Sequence, residues 1–158
     1  MRRPSKKLLP GLPSKAGVIS ILIASCFLLS CKDDEKEEVK PDKYLTASVA
    51  SNAFTATTIT SKVSGDAVSI EGVSSNGTLI QINLNLTDTK QGETHNVGLH
   101  QNGWYTDATG TYFFDDGTIT ITEFSNNQIE GTFTVEGEDI DDFRITIQQG
   151  KFRSSYTK

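Results

Sequence analysis

From Tyr44 to the end of the chain, apolar and polar residues alternate with a period of two. The clearest run is 79–86 (LIQINLNL), with Ile80, Ile82, Leu84 and Leu86 on one side and Gln81, Asn83 and Asn85 on the other. Successive side chains of a strand point to opposite faces, so such a run is a strand with one dry and one wet face. In 128–136, Ile129, Gly131, Phe133 and Val135 alternate with Gln128, Glu130, Thr132, Thr134 and Glu136. In 142–148, Phe143, Ile145 and Ile147 alternate with Arg144, Thr146 and Gln148. Weaker alternation marks 45–50, 54–60, 67–73, 95–100, 109–114 and 117–124. Turn formers separate the runs, among them Ser64-Gly65-Asp66, Asn76-Gly77, Gln91-Gly92, Asn102-Gly103, Asp116-Gly117 and Gly137-Glu138-Asp139. Asn76-Gly77 and Asp116-Gly117 suit two-residue hairpins, because Asn, Asp and Gly tolerate positive φ. The pattern predicts an all-β domain, an antiparallel meander of about eight to nine strands forming a flattened barrel or a two-layer sandwich. Its expected core comprises Phe54, Ile70, Ile82, Leu84, Tyr112, Phe114, Ile121, Phe133, Phe143, Ile145 and Ile147. No long run has helical period; the poorest pattern, 87–108, leaves room for one helical turn.

The N-terminus obeys a different logic. Residues 1–15 are basic and carry Pro4, Pro10 and Pro13, and residues 16–29 (AGVISILIASCFLL) are an uncharged apolar stretch of fourteen. A membrane-spanning helix needs about 20 such residues, whereas a signal-peptide core needs roughly 7–15. The stretch therefore reads as a signal peptide. Its end, Leu28-Leu29-Ser30-Cys31, resembles the lipobox of bacterial lipoproteins. That resemblance implies diacylglyceryl transfer to the Cys31 thiol, cleavage before Cys31 and acylation of the new N-terminus. Ile23-Ala24-Ser25-Cys26 also fits the lipobox. Cleavage there would leave Phe27-Leu28-Leu29 near the mature N-terminus, whereas cleavage at Cys31 leaves the soluble Lys32-Asp33-Asp34-Glu35. The expected organisation is a signal peptide over 1–30, a lipidated Cys with an acidic tether over 31–43, and one all-β domain over 44–158. With Cys26 removed and Cys31 acylated, neither of the two cysteines is left as a free thiol.

Residues 32–43 (KDDEKEEVKPDK) contain one apolar residue, Val39. Such a segment cannot bury enough apolar surface to offset its ordering entropy, so a disordered spacer reaching up to about 40 Å is expected. Lys32, Asp33 and Asp34, directly after the lipidated Cys, resemble the surface-export signal of Bacteroidota lipoproteins. Charge changes the picture further. The five cations of residues 1–30 meet no acid, which leaves ten cations against twenty acids in the remainder, a net of −10. An acidic domain repels phosphate backbones, so no nucleic-acid partner is expected. The membrane contact is through the N-terminal lipid.

The domain also resembles a set of small Bacteroidota lipoproteins of unknown function. The likeness rests on Gly110-Thr111-Tyr112, Gly117-Thr118-Ile119-Thr120-Ile121-Thr122, Gly131-Thr132-Phe133 and Gly150-Lys151-Phe152. It implies an all-β fold on the outer membrane and carries no activity.

Candidate chemistry is sparse. His95 and His100 lie five apart, on opposite faces if both are on one strand, and are expected to be solvent-exposed rather than metal ligands. Asp115-Asp116 and the acids of 138–142 fall in predicted turns, where carboxylates are ordinary, and neither matches a calcium loop. Glu71, Glu123, Glu130 and Glu136 sit among Thr, Ser and Gln, not in the apolar cleft a glycosidase acid needs. No G-x-S-x-G elbow and no phosphate loop is present, so no catalytic residue, metal or cofactor is expected. Trp104 and Tyr105 are candidate ligand contacts if they lie on a loop, although Trp104 reads better as a plug for the barrel end. The reading is a non-enzymatic, lipid-anchored outer-membrane protein facing the cell surface, acting as a binding or structural envelope protein. The alternative is a lipocalin-like binder of a small molecule or glycan inside the barrel or on the loop aromatics. The lipidation reading predicts that Cys31→Ala abolishes incorporation of radiolabelled palmitate, while Cys26→Ala retains it; labelling lost only in Cys26→Ala would reverse the assignment.

Overall fold

The computed structural model describes residues 42–98, 102–125 and 127–157. Nine strands run in chain order: β1 (Tyr44–Val49), β2 (Asn52–Ser64), β3 (Ala67–Ser74), β4 (Leu79–Asn85), β5 (Thr94–Asn96), β6 (Gly103–Thr106), β7 (Thr111–Phe124), β8 (Gln128–Glu138) and β9 (Arg144–Ser155). No helix occurs among the described residues. Every pairing is antiparallel, and consecutive strands are neighbours except where β5 intervenes. The sheet closes because β9 pairs with both β8 and β1, while β7 joins β6 to β8. The result is a closed barrel of eight strands. The short β5 is the ninth, lying beside Thr118–Thr120 on the β7 edge that β6 occupies nearer the start of that strand. Closure leaves no long edge available for pairing with another chain.

The alternation seen in the sequence survives as inside and outside. In β4, Ile80, Ile82 and Leu84 are buried while Gln81 and Asn83 are half-exposed. Twelve inward side chains, Phe114 and Phe152 the largest, are less than 2% exposed. A water-sized void beside them would expose its lining, so the interior around them is filled. The two buried polar side chains among the described residues are both partnered: Thr89 donates to the Asn85 carbonyl, and the Ser154 hydroxyl bonds that of Ser61.

The most specific packing lies between β8 and β9. Gly131 faces Phe152 across the ladder, and Phe133 faces Gly150. A Cβ on Gly131 would lie 2.6 Å from the Phe152 ring, and one on Gly150 would lie 2.5 Å from the Phe133 ring. Each phenylalanine thus occupies the space that the opposing glycine leaves, with ring centroids 6.4 Å apart. Covering a strand glycine with a cross-strand aromatic also compensates its lack of a side chain.

Three expectations need correcting. Asp116-Gly117 is no hairpin: β7 runs through it, with a bulge between Phe114 and Asp116. One extra residue there keeps both halves of the strand facing the core. Gly117 is required for close approach, at φ +119 with the Thr134 carbonyl 2.2 Å from where a Cβ would sit. Phe143 is 66% exposed rather than core. It has the inward parity of Ile145 and Ile147 but precedes β9, beyond the end of the barrel where there is no interior to enter. Finally, residues 103–106 form a strand instead of a loop.

Gly117→Ala is therefore expected to destabilise the domain by about 2 kcal/mol or more in urea unfolding. At Gly98 a Cβ would meet no atom of the described residues within 4 Å and φ is not positive, so Gly98→Ala should change stability by less than about 1 kcal/mol. Equal losses at the two sites would contradict this account of the bulge.

Candidate functional site

With the interior filled, the outer wall is the surface the barrel presents, and outward threonines line up across it. Register lines them up. Thr55 on β2 faces Thr46 on β1, Thr46 faces Lys151 on β9, Lys151 faces Thr132 on β8, and Thr132 faces Thr120 on β7. Thr94 of β5 extends the row, and its hydroxyl lies 2.9 Å from that of Thr120. Adjacent strands are about 4.8 Å apart, so the six residues span roughly 24 Å. Thr134 and Thr118 face each other beside this row, nearer the end that carries the β1–β2 and β8–β9 turns.

A barrel wall is ordinarily convex. Here bulges between Thr46 and Ser48, and between Phe133 and Val135, interrupt the ladders, and Gln149 adopts φ 53. Bulges bend strands and increase their twist. A groove of about 680 Å³ crosses the wall at this place. Among the described residues, six threonines and two serines line it with Gln149, Ala47 and Ala53, and Lys151 is the one charged lining residue. Phe133 and Gly150 form part of its floor, which ties the groove to the packing of β8 on β9.

Trp104 and Tyr105 are neighbours on β6 and therefore point to opposite faces. Tyr105 is buried and packs against Tyr112, with centroids 5.9 Å apart. Trp104 lies half-buried on the outer face between Gln81 and Phe113, so it does not plug the barrel. The two do not form one contact surface, and neither lines the threonine groove. Tyr105 instead borders a pocket of about 380 Å³ at the barrel mouth, with Asn52, Ser74, Asn76 and Thr78. Its hydroxyl donates to Asp107 Oδ2 at 2.9 Å. Burial, then this bond, raise the Tyr105 phenol above its ordinary range. Burial works against the Asp107 carboxylate, but bonds from the Thr109 hydroxyl and amide and from Tyr105 hold it below its usual range.

The strand carboxylates are engaged by arginines. Arg153 reaches Glu130 at 3.1 Å and Glu123 at 3.6 Å, and donates to Gln128 at 3.0 Å. Tyr44 donates to Glu130 Oε1 at 2.8 Å; burial and that carboxylate push its phenol up to about 12. Arg144 holds Asp115, Glu138 and Glu136 at 2.7, 2.8 and 3.3 Å. Glu71, outward on β3, faces Gln81 and Thr60. None of these is a carboxyl isolated in an apolar cleft. Among the described residues no three metal-ligating side chains converge. His95 departs from expectation: it pairs with the buried Ile119, lies half-buried on the same side of β5 as Glu93, and has its Nε2 shielded from solvent. His100, Cys26, Cys31, Lys32, Asp33 and Asp34 lie outside the described residues.

Residues 42–154 match the family described as a domain of unknown function (DUF6252). The chain belongs to this family. No curated protein and no solved structure matches it. In this DUF6252 domain the groove was missed in the sequence because threonine on a wet strand face reads as ordinary β-propensity. The available signal was repetition: Thr118-x-Thr120 and Thr132-x-Thr134 are outward-facing pairs on consecutive strands.

Proposed function

We propose that the protein is a non-enzymatic envelope lipoprotein, anchored in the outer membrane through lipid on Cys31, that binds a neutral, hydroxyl-rich chain in its threonine groove. The groove's composition carries this reading: hydroxyls and an amide around a trough with one cation. Hydroxyl side chains donate and accept, as sugar hydroxyls do, while threonine and alanine methyls offer contact to sugar C–H faces. A polyanion would call for several cations, and an apolar ligand would leave the hydroxyls unpartnered. A glycan strand is the class that satisfies both. The Lys32-Asp33-Asp34 signal, as in Bacteroidota lipoproteins, would put the groove on the cell surface, within reach of extracellular polysaccharide. The lipocalin-like alternative loses support from the filled interior and retains only the mouth pocket beside Tyr105.

Affinity electrophoresis of the full-length protein in detergent, through a panel of neutral polysaccharides, tests the proposal. At least one should retard the wild type. Thr120→Val with Thr132→Val keeps shape and strand propensity while removing two hydroxyls, and should weaken binding by about tenfold at an unchanged unfolding midpoint. Retardation by none of the panel, or equal retardation of the variant, would overturn it.

A further inference from the structure

We infer that the β8–β9 hairpin tip is a docking finger for a protein partner whose surface offers an apolar cleft rimmed by lysine and arginine. Ile140 is 89% exposed and Phe143 66%, and they are the two large apolar side chains that stand exposed among the described residues. Both sit on the same turn, three residues apart. Scattered surface apolar residues need no explanation, but two bulky ones on one projecting tip are costly in water and mark a contact site.

The exposure is built in. The Asp139 amide donates to the Phe143 carbonyl at 3.0 Å, and Asp139 Oδ1 accepts the amides of Asp141 and Phe143, both at 2.9 Å. Asp142 completes the turn at φ 65, a conformation that aspartate adopts more readily than most residues. The finger thus holds its two apolar groups in place before binding, which lowers the ordering cost on association. Beside it a cavity of about 740 Å³, lined by Phe113, Asp115, Ile140 and Arg144, extends the surface onto the outer wall.

Charge identifies the occupant. Residues 136–144 carry Glu136, Glu138, Asp139, Asp141 and Asp142 against Arg144, which already holds Asp115, Glu136 and Glu138. An acidic rim around an apolar tip repels anionic lipid headgroups and attracts a basic protein surface. Position agrees. The chain enters the barrel at Tyr44, at the start of β1, and the antiparallel order puts the β8–β9 turn at the opposite end. If the chain is anchored through Cys31, as proposed above, a finger meant for the protein's own membrane would lie at the entry end.

Selection from a random peptide display library on full-length protein in detergent, with counter-selection on Ile140→Ser/Phe143→Ser, tests the assignment. Both side chains are exposed, so that variant should melt as the wild type does. Recovered peptides should carry an aliphatic or aromatic residue flanked by Lys or Arg. They should bind the double variant at least about tenfold more weakly and lose affinity as salt rises. Asp141→Asn/Asp142→Asn should weaken binding severalfold and flatten the salt dependence, while Thr120→Val/Thr132→Val leaves it unchanged. Peptides without basic residues, binding indifferent to the finger variants, or Ile140- and Phe143-dependent binding of phosphatidylcholine vesicles would overturn the inference.

Discussion

The structure depends on the exchange of space between Gly131 and Phe152 and between Gly150 and Phe133. β9 is the strand that closes the barrel, and it can do so only if it lies flush on β8 while also reaching β1. Two glycines in strand interiors cost about 0.5–1 kcal/mol each in backbone entropy. Burying two phenylalanines is worth roughly 1.5–3 kcal/mol each, so the exchange is favourable provided the rings have room. They have it because the glycines lack side chains. β9 also carries the extra residue at both irregularities, opposite Phe133–Val135 of β8 and opposite Thr46–Ser48 of β1, so the strand that closes the barrel also shapes the trough on its outer wall. The glycine and the aromatic are one device, and the residues between them, Thr132 and Lys151, are delivered to the groove as a consequence.

A filled interior divides the labour of the chain cleanly. Inward positions specify the fold, with Leu45, Ile70, Ile80, Ile82 and Ile121 in one buried cluster with Phe114 and Phe152. Outward positions are then free to vary in chemistry, provided they suit a strand. Threonine suits a strand, and it also presents a hydroxyl and a methyl at the surface. Among the described residues the groove is lined by no acid and one lysine, whereas the β8–β9 tip carries Asp139, Asp141 and Asp142 beyond the acids that Arg144 holds. Two surfaces of different chemistry therefore occupy one small barrel, one along its wall and one at its far end.

Much of this was legible in the alternation of residues. Ile80-x-Ile82-x-Leu84 and Ile129-x-Gly131-x-Phe133 declare their buried face because a period of two has one outcome on a half-wet sheet. The strands that failed to read are those where geometry outranks pattern. Asp116-Gly117 has the chemistry of a hairpin turn, yet the bulge uses the same residues to bring β7 against Thr134. Phe143 has the parity of the core but lies past the end of the barrel, a fact fixed by where β9 begins. Trp104 and Tyr105 sit on a strand of four residues, too short to show alternation. The threonine row was invisible for another reason: it is assembled by register from six strands, five giving a threonine and β9 a lysine, which no local window contains.

A double-mutant cycle between Gly150→Ala and Phe133→Val, followed by urea unfolding on the fluorescence of Trp104, shows whether ring and glycine share one space. If the ring occupies the glycine's space, Gly150→Ala should cost about 2 kcal/mol or more in the wild type and less than about 1 kcal/mol once the ring is gone. A coupling of at least about 1 kcal/mol is the predicted result. Losses that simply add, within about 0.5 kcal/mol, would contradict the claim that these two residues form one closing device.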